Sequence, residues 1–305
     1  MQKKTSESRR SKKSLGRIIR PYLFLLPIFT LMIVFKYIPF MNAILTSFYK
    51  WNGGNVREFI GLKNYTDLIQ DKQFWISLFN CVKICIANLA IALTMPLLAA
   101  ELLYAFRSKK AQYYLRTFLT FPMVVPGVVV ILLWKWILSG DTGVLNTILT
   151  KIGLENFVTP WLGSSQTALF SIVLIGFPWV SGLNFLLYYG ALQAIPGELL
   201  EAAKMDGANI FQRFFKIDLP MLASQIKLIV TLCLINSLQV FETIFILTKG
   251  GPGTSTMVPS IMLYESAFSF KKYGYSSAIG VVMFVIILVV SAFNQKFLKN
   301  TETMD

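Results

Sequence analysis

Apolar residues in this 305-residue chain come in long blocks, without the short alternations of a two-sided sheet. About 20 consecutive apolar residues cross the hydrocarbon core of a bilayer as a helix. Six blocks reach that length: 21–40, 77–100, 117–138, 167–190, 223–247 and 276–297. Between the fourth and fifth lies a long polar run, EAAKMDGANIFQRFFKIDLP (201–220). Its pattern predicts two short helices. Pro196 suits a first helical position, where its missing N–H has no partner to lose. Glu198 and Glu201 lie early, where negative charge complements the helix dipole. Gly207 supplies a stop, because glycine readily takes the left-handed angles that end a helix. Ile210, Phe211, Phe214 and Phe215 then recur at helical spacing, opposite Asn209, Gln212, Arg213 and Lys216. Leu219-Pro220 ends the second helix and returns the chain to an apolar block.

The predicted fold class is an all-α membrane protein with six transmembrane helices. No 20–50-residue repeat and no low-complexity linker divides it. The expected organisation is a basic tail (1–20), a first helix with an external segment (21–76), a transmembrane domain (77–297) that includes a polar loop at 194–220, and a second tail (298–305).

Composition supports this class: 55% of residues are hydrophobic and 14% charged, against roughly 25% charged in soluble domains. An excess of 29 Lys and Arg over 15 Asp and Glu could suggest a nucleic-acid binder. Eight of those cations, with one acid, crowd the first twenty residues beside an apolar block. That is the positive-inside signal of a membrane protein, so no nucleic-acid partner is expected. Counted on alternate sides, 17 Lys and Arg fall with the tail and 8 opposite, which predicts both termini in the cytoplasm. The start also looks like a signal peptide, but no small-residue cleavage site follows, so it reads as an uncleaved first helix. Cys81 and Cys85 share a span at i, i+4, which is poor disulfide geometry, and Cys233 lies in another. Histidine is absent, which removes His-based triads and most zinc sites.

The 195–220 insert carries three basic against four acidic side chains. A helix lying on anionic lipid would favour more Lys and Arg, so a protein partner is the better fit. The spacing Glu201-Ala202-Ala203, three residues, Gly207, nine residues, then Ile217-x-Leu219-Pro220 resembles the cytoplasmic loop of binding-protein-dependent ABC importer permeases. FIGLKNYTDLIQDKQFW (59–75), FPMVVPGVVVILLWKWIL (121–138), LQAIP, ILTKGGPGTST and YGYSSA (273–278) resemble the carbohydrate-type members, the maltose and glycerol-phosphate group. The resemblance implies the type I importer permease fold in a bacterial cytoplasmic membrane. It implies coupling helices that dock on an ATPase subunit, with Glu201, Ala202, Ala203, Asp206, Gly207, Ile217, Leu219 and Pro220 as the coupling set. The implied partners are a second permease, two ATPase subunits holding ATP and Mg, and an external solute-binding lipoprotein that delivers a sugar. The chain itself carries no G-x-x-x-x-G-K-[ST] phosphate loop, so no cofactor and no catalytic residue are assigned to it.

Lys36, Lys83, Glu101, Lys135, Lys227 and Glu242 fall within a turn or two of predicted span ends, where snorkelling to the interface explains most of them. Uncharged polar residues sit deeper. Asn236, Ser237 and Gln239 lie near the centre of the fifth block, and Trp179 and Asn184 near that of the fourth. Asn and Ser can bond sugar hydroxyls, and a sugar's C–H face can lie on an aromatic ring. Helix–helix hydrogen bonding explains Asn and Ser equally well. Aligned with the family, Trp179, Val180, Leu183, Cys233, Asn236, Ser237 and Val240 are implied to face the pathway, with Asn184, Gln239 and Glu242 beside them. Two other classes compete. An ion-coupled transporter needs a mid-membrane carboxylate, and a membrane-embedded enzyme needs convergent acids, bases or metal ligands; neither is evident. A glycerol-phosphate or other anionic cargo would call on Lys83 or Lys227.

Overall fold

A computed structural model describes residues 15–55, 57–106 and 108–297. Most of the basic tail, Arg107 of the cation count and the tail 298–305 lie outside the described residues. The chain opens with α1 (Leu15–Met32), a π-helical turn (Ile33–Tyr37) and α2 (Ile38–Thr46). A hairpin of β1 (Tyr49–Trp51) and β2 (Arg57–Phe59) follows, then α3 (Lys63–Gln70) and α4 (Lys72–Ala105). Next come α5 (Lys109–Thr120), α6 (Gly127–Ile137), α7 (Val144–Lys151), α8 (Ala168–Leu174) and α9 (Gly182–Gln193). The polar loop forms α10 (Gly197–Met205), α11 (Ile210–Arg213) and α12 (Leu219–Met221). The chain ends with α13 (Ala223–Leu238), α14 (Glu242–Leu247), α15 (Pro259–Tyr264) and α16 (Tyr273–Phe297).

Helix α4 is the axis. Its 34 residues extend roughly 50 Å at 1.5 Å per residue, so both ends clear a hydrocarbon core of about 30 Å. Asp71 caps its start by accepting the Gln73 N–H at 2.8 Å. One face meets α9 and α13, and the buried residues form two clusters along it. Phe74, Cys81 and Ile84 join Ile131, Ile172, Ile244, Ile261 and Ile279 near its start. Leu97, Ala100 and Leu103 join Phe185, Tyr188, Leu192, Leu222 and Ile229 near its end. The apolar stretch Tyr22–Thr46 is long enough to span, yet its most apolar window has no buried residue.

Three predicted spans are interrupted. The 117–138 block bends by 89° between α5 with its 3-10 turn (Phe121–Val124) and α6. Pro122 and Pro126 lack the N–H a continuous helix needs there. The 167–190 block breaks over 175–181, where Gly176 (φ +82°) and Trp179 (φ +59°) are left-handed. The 223–247 block breaks over 239–241, between α13 and α14. Among the described residues, three helices are individually long and apolar enough to cross a membrane, and five if each bent pair counts once.

At the start of α4 the hairpin is fastened to α16. The buried Asn64 donates to the Ser47 and Tyr49 carbonyls at 2.7 and 3.0 Å, and Tyr275 Oη donates to Asp71 at 2.8 Å. Gly274 lies so close that an added Cβ would stand 1.8 Å from the Tyr49 carbonyl oxygen. Gly274→Ala is therefore expected to destabilise the protein by about 1–3 kcal/mol, the usual cost of overpacking. Unfolding of the detergent-solubilised variant measures it.

Candidate coupling loop and solute path

Helix α10 begins at Gly197, one residue after the proline expected to open it, with Pro196 extended as its cap. Its end is built as the sequence predicts. Gly207 has φ +70°, its N–H reaches the Lys204 carbonyl at 3.1 Å, and the Ala208 N–H reaches that of Ala203 at 2.9 Å. This pair of bonds is the Schellman closure, which satisfies carbonyls the helix leaves over. Asn209 and Gln212 then exchange side-chain and backbone bonds at 2.8 and 2.9 Å, a capping box that starts α11. That N-x-x-Q signal was legible in the sequence and unused. A π-helical turn (Phe214–Asp218) and α12 lead into α13 through a 67° bend.

The loop has an anchored side and an open side. Ala203 is buried, and Ile217 and Leu219 pack on the cluster at the end of α4. Glu201, Ala202, Asp206, Gly207 and Pro220 are exposed. So are large apolar side chains: Met205 is 88%, Ile210 76% and Phe211 75% accessible. The helical spacing of Ile210 and Phe211 thus marks a face the chain leaves uncovered, while Phe214 turns inward.

Beneath the loop sits an ionic cluster that the sequence reading missed. Arg213 Nε donates to Asp218 Oδ2 at 2.8 Å, and Arg213 Nη2 to Glu101 Oε2 at 3.4 Å. The guanidinium also lies 5.8 Å from the Tyr104 ring centre. Asp218 is fully buried and Glu101 is mostly so. Arg213 therefore faces inward rather than solvent, and Glu101 does not snorkel. The visible signal was one acid, Asp218, inside the apolar re-entry KIDLP.

The residues proposed for the path fall into two groups. Asn236, Gln239 and Leu183 are exposed, and Trp179, Val180, Asn184, Cys233 and Val240 are half-buried. Val180 and Cys233 pack on the same cluster, from α9's approach and α13. Trp179 is held in its left-handed position by Nε1 donating to the Val173 carbonyl at 2.9 Å. Ser237 is buried and accepts from Asn88 Nδ2 at 3.1 Å, the helix–helix bond that competed with sugar contact for it. Glu242 is exposed in the first turn of α14. Lys135 reaches the Ile246 carbonyl at 2.8 Å, capping α14, and Lys83 lies 4.4 Å from the Phe79 ring on its own helix. At the far end, Asn80 Nδ2 donates to the Thr254 and Met257 carbonyls at 3.0 and 3.1 Å, fixing the GGPGTST turn. There a cleft of about 910 Å³ opens between the hairpin, α3 and residues 270–275. Among the described residues, no group of His, Cys, Asp and Glu is placed to hold a metal ion.

Residues 92–302 match the family of binding-protein-dependent transport system inner membrane components. The chain belongs to that family. This permease is 36% identical over 283 residues to the probable ABC transporter permease protein YurN of Bacillus subtilis, covering 92% of this chain and 96% of that one. It is 32% identical to the trehalose/maltose transport system permease protein MalF of Thermococcus litoralis, covering 88% and 89%. Among solved structures, a bacterial ABC transporter involved in import of the acidic polysaccharide alginate superposes with a TM-score of 0.83 at 26% identity, covering 95% of this chain and 99% of that one. The permease is a multi-pass transport subunit, and the family model covers both the loop and the broken helices above it.

Two asparagines separate packing from exposure in this permease. Asn80→Ala strands the Met257 carbonyl, met in a buried bond, and frees the part-buried bond to Thr254; it is expected to cost about 1–3 kcal/mol. Asn236→Ala, on an open face, is expected to stay within about 0.5 kcal/mol of wild type. Chemical unfolding of the two purified variants compares them.

Proposed function

We propose that this permease forms half of the membrane path of an ATP-driven importer for a sugar or oligosaccharide. In this reading the chain crosses the membrane six times, with α8–α9 and α13–α14 each counted as one interrupted span. Both termini and the 194–220 loop are cytoplasmic. The observation that carries the proposal is the uncovered face of Met205, Ile210 and Phe211 beside the exposed Glu201. An apolar patch on a loop that lies outside the bilayer in this reading calls for a partner, and an ATPase subunit carrying ATP and Mg is the one assigned. A second permease covers the unburied first helix. A solute-binding lipoprotein docks at the opposite end, near the hairpin cleft, and releases its sugar toward the exposed Asn236 and the half-buried Trp179 and Asn184.

Relatives support the cargo class: they include a sulfoquinovosyl glycerol permease of Agrobacterium fabrum and a multiple sugar-binding system permease of Streptococcus mutans. ATP binding closes the ATPase pair, displaces the docked loop, and alternates the access of the path through rigid-body motion. The sugar crosses chemically unchanged. An anionic cargo is the second reading: one solved neighbour is involved in import of an acidic polysaccharide, while Lys83, which such a cargo would call on, lies over its own helix's Phe79 ring.

The test is co-purification of the wild-type complex and its ATPase response to receptors loaded with a panel of sugars. A complex without an ATPase subunit, or one deaf to every loaded receptor, refutes the proposal. Gly207 adds a sharper expectation. Its φ of +70° is costly for a β-branched residue, by about 1–2 kcal/mol, while an added Cβ meets nothing of this chain within 4 Å. Gly207→Val should lower receptor-stimulated ATP hydrolysis roughly five- to thirty-fold, the population shift that strain implies. Sugar binding by the receptor should not change.

A further inference from the structure

The cluster beneath the loop contains two carboxylates and one guanidinium, two of them on the loop that moves in the reading above and one on α4. Asp218 belongs to the π-helical turn that ends the loop, Arg213 to α11, and Glu101 to the end of α4. Helix α4 in turn packs on α9 and α13, which carry the path residues. We infer that Arg213 is a positioning residue for transport, transmitting displacement of the coupling loop to α4 by shifting between Asp218 and Glu101. This role rests on the importer reading.

The bridge is uneven. Arg213 is close to Asp218 at 2.8 Å and long to Glu101 at 3.4 Å. One oxygen on each carboxylate, Asp218 Oδ1 and Glu101 Oε1, is buried without a hydrogen-bond partner. Buried carboxylate oxygens are costly to leave unmet, so a single guanidinium leaves one site short whichever it favours. A small displacement of α11 toward the end of α4 would tighten the Glu101 bond at the expense of the Asp218 bond. Packed interfaces switch between such discrete arrangements instead of deforming continuously. The Tyr104 ring beside the guanidinium lines the same short track.

A bridge that only holds the fold together and one that transmits motion differ in what they couple. The experiment uses the complete complex with its receptor in proteoliposomes and measures solute transported per ATP hydrolysed. Glu101→Gln keeps the shape and one hydrogen-bond acceptor but removes the charge that draws Arg213 across. Arg213→Lys keeps the charge but cannot reach both carboxylates at once. Both are expected to reduce solute moved per ATP at least fivefold. If transport, hydrolysis and the yield of assembled complex fall together with the ratio unchanged, the cluster is merely structural and the inference is overturned. A ratio within twofold of wild type in both variants overturns it as well. Should one variant fail to assemble, the other decides by the same ratio. A wild-type complex that moves solute without consuming ATP would sink the importer reading and this role with it, an outcome distinct from the two that sink the role alone.

Discussion

Every backbone N–H and C=O that leaves a helix inside an apolar medium must find a partner within the protein. The rest of this structure hangs on that demand, because three of its apolar blocks stop being helical in mid-course. The freed groups are met by side chains from other elements. Trp179 donates to the Val173 carbonyl, Cys81 lies 3.5 Å from that of Ser237, Ser260 donates to that of Val240, and Lys135 donates to that of Ile246. The breaks are therefore stable features. Irregular backbone at membrane depth is tolerated where it is enclosed by protein or borders a water-filled space, and here the breaks coincide with Trp179, Val180, Gln239 and Val240, the region assigned to the path.

The same rule explains why α4 is continuous. One long helix satisfies its own backbone along nearly its whole length and leaves its side chains free to serve others; at Pro96, which has no N–H for the Ala92 carbonyl, Tyr188 Oη from α9 donates to that carbonyl at 3.3 Å. Asn80 and Cys81 support the turn and the break near its start, Asn88 holds Ser237 midway, and Glu101 meets Arg213 at its end. A single rigid element thus touches the end with the hairpin cleft, the interrupted helices and the polar loop. Motion applied at one end has a physical route to the other.

The polar loop illustrates local encoding. Gly207 closes α10 and Asn209 with Gln212 opens α11 through bonds between residues a few positions apart, so their chemistry is written in the local sequence. The bends at Pro122 and Pro126 and at Gly176 and Pro178 had visible signals too, although block length alone suggested unbroken spans. The break at Gln239-Val240-Phe241 had none: no proline or glycine marks it, and its carbonyls are met by Cys81 and Ser260, far away in the chain.

By itself, the sequence determined the class of solvent, the positions of the apolar blocks, the stop at Gly207 and the amphipathic face at Ile210 and Phe211. Those depend on hydropathy and on backbone preferences that act over a few residues. Only the tertiary structure decided that Ser237 is buried while neighbouring Asn236 is exposed, that Arg213 turns inward to Asp218 and Glu101, and where α13 ends. Each of those outcomes depends on which distant group arrives opposite, as Glu101 meets Arg213 across more than a hundred positions, and no local pattern of residues specifies that meeting.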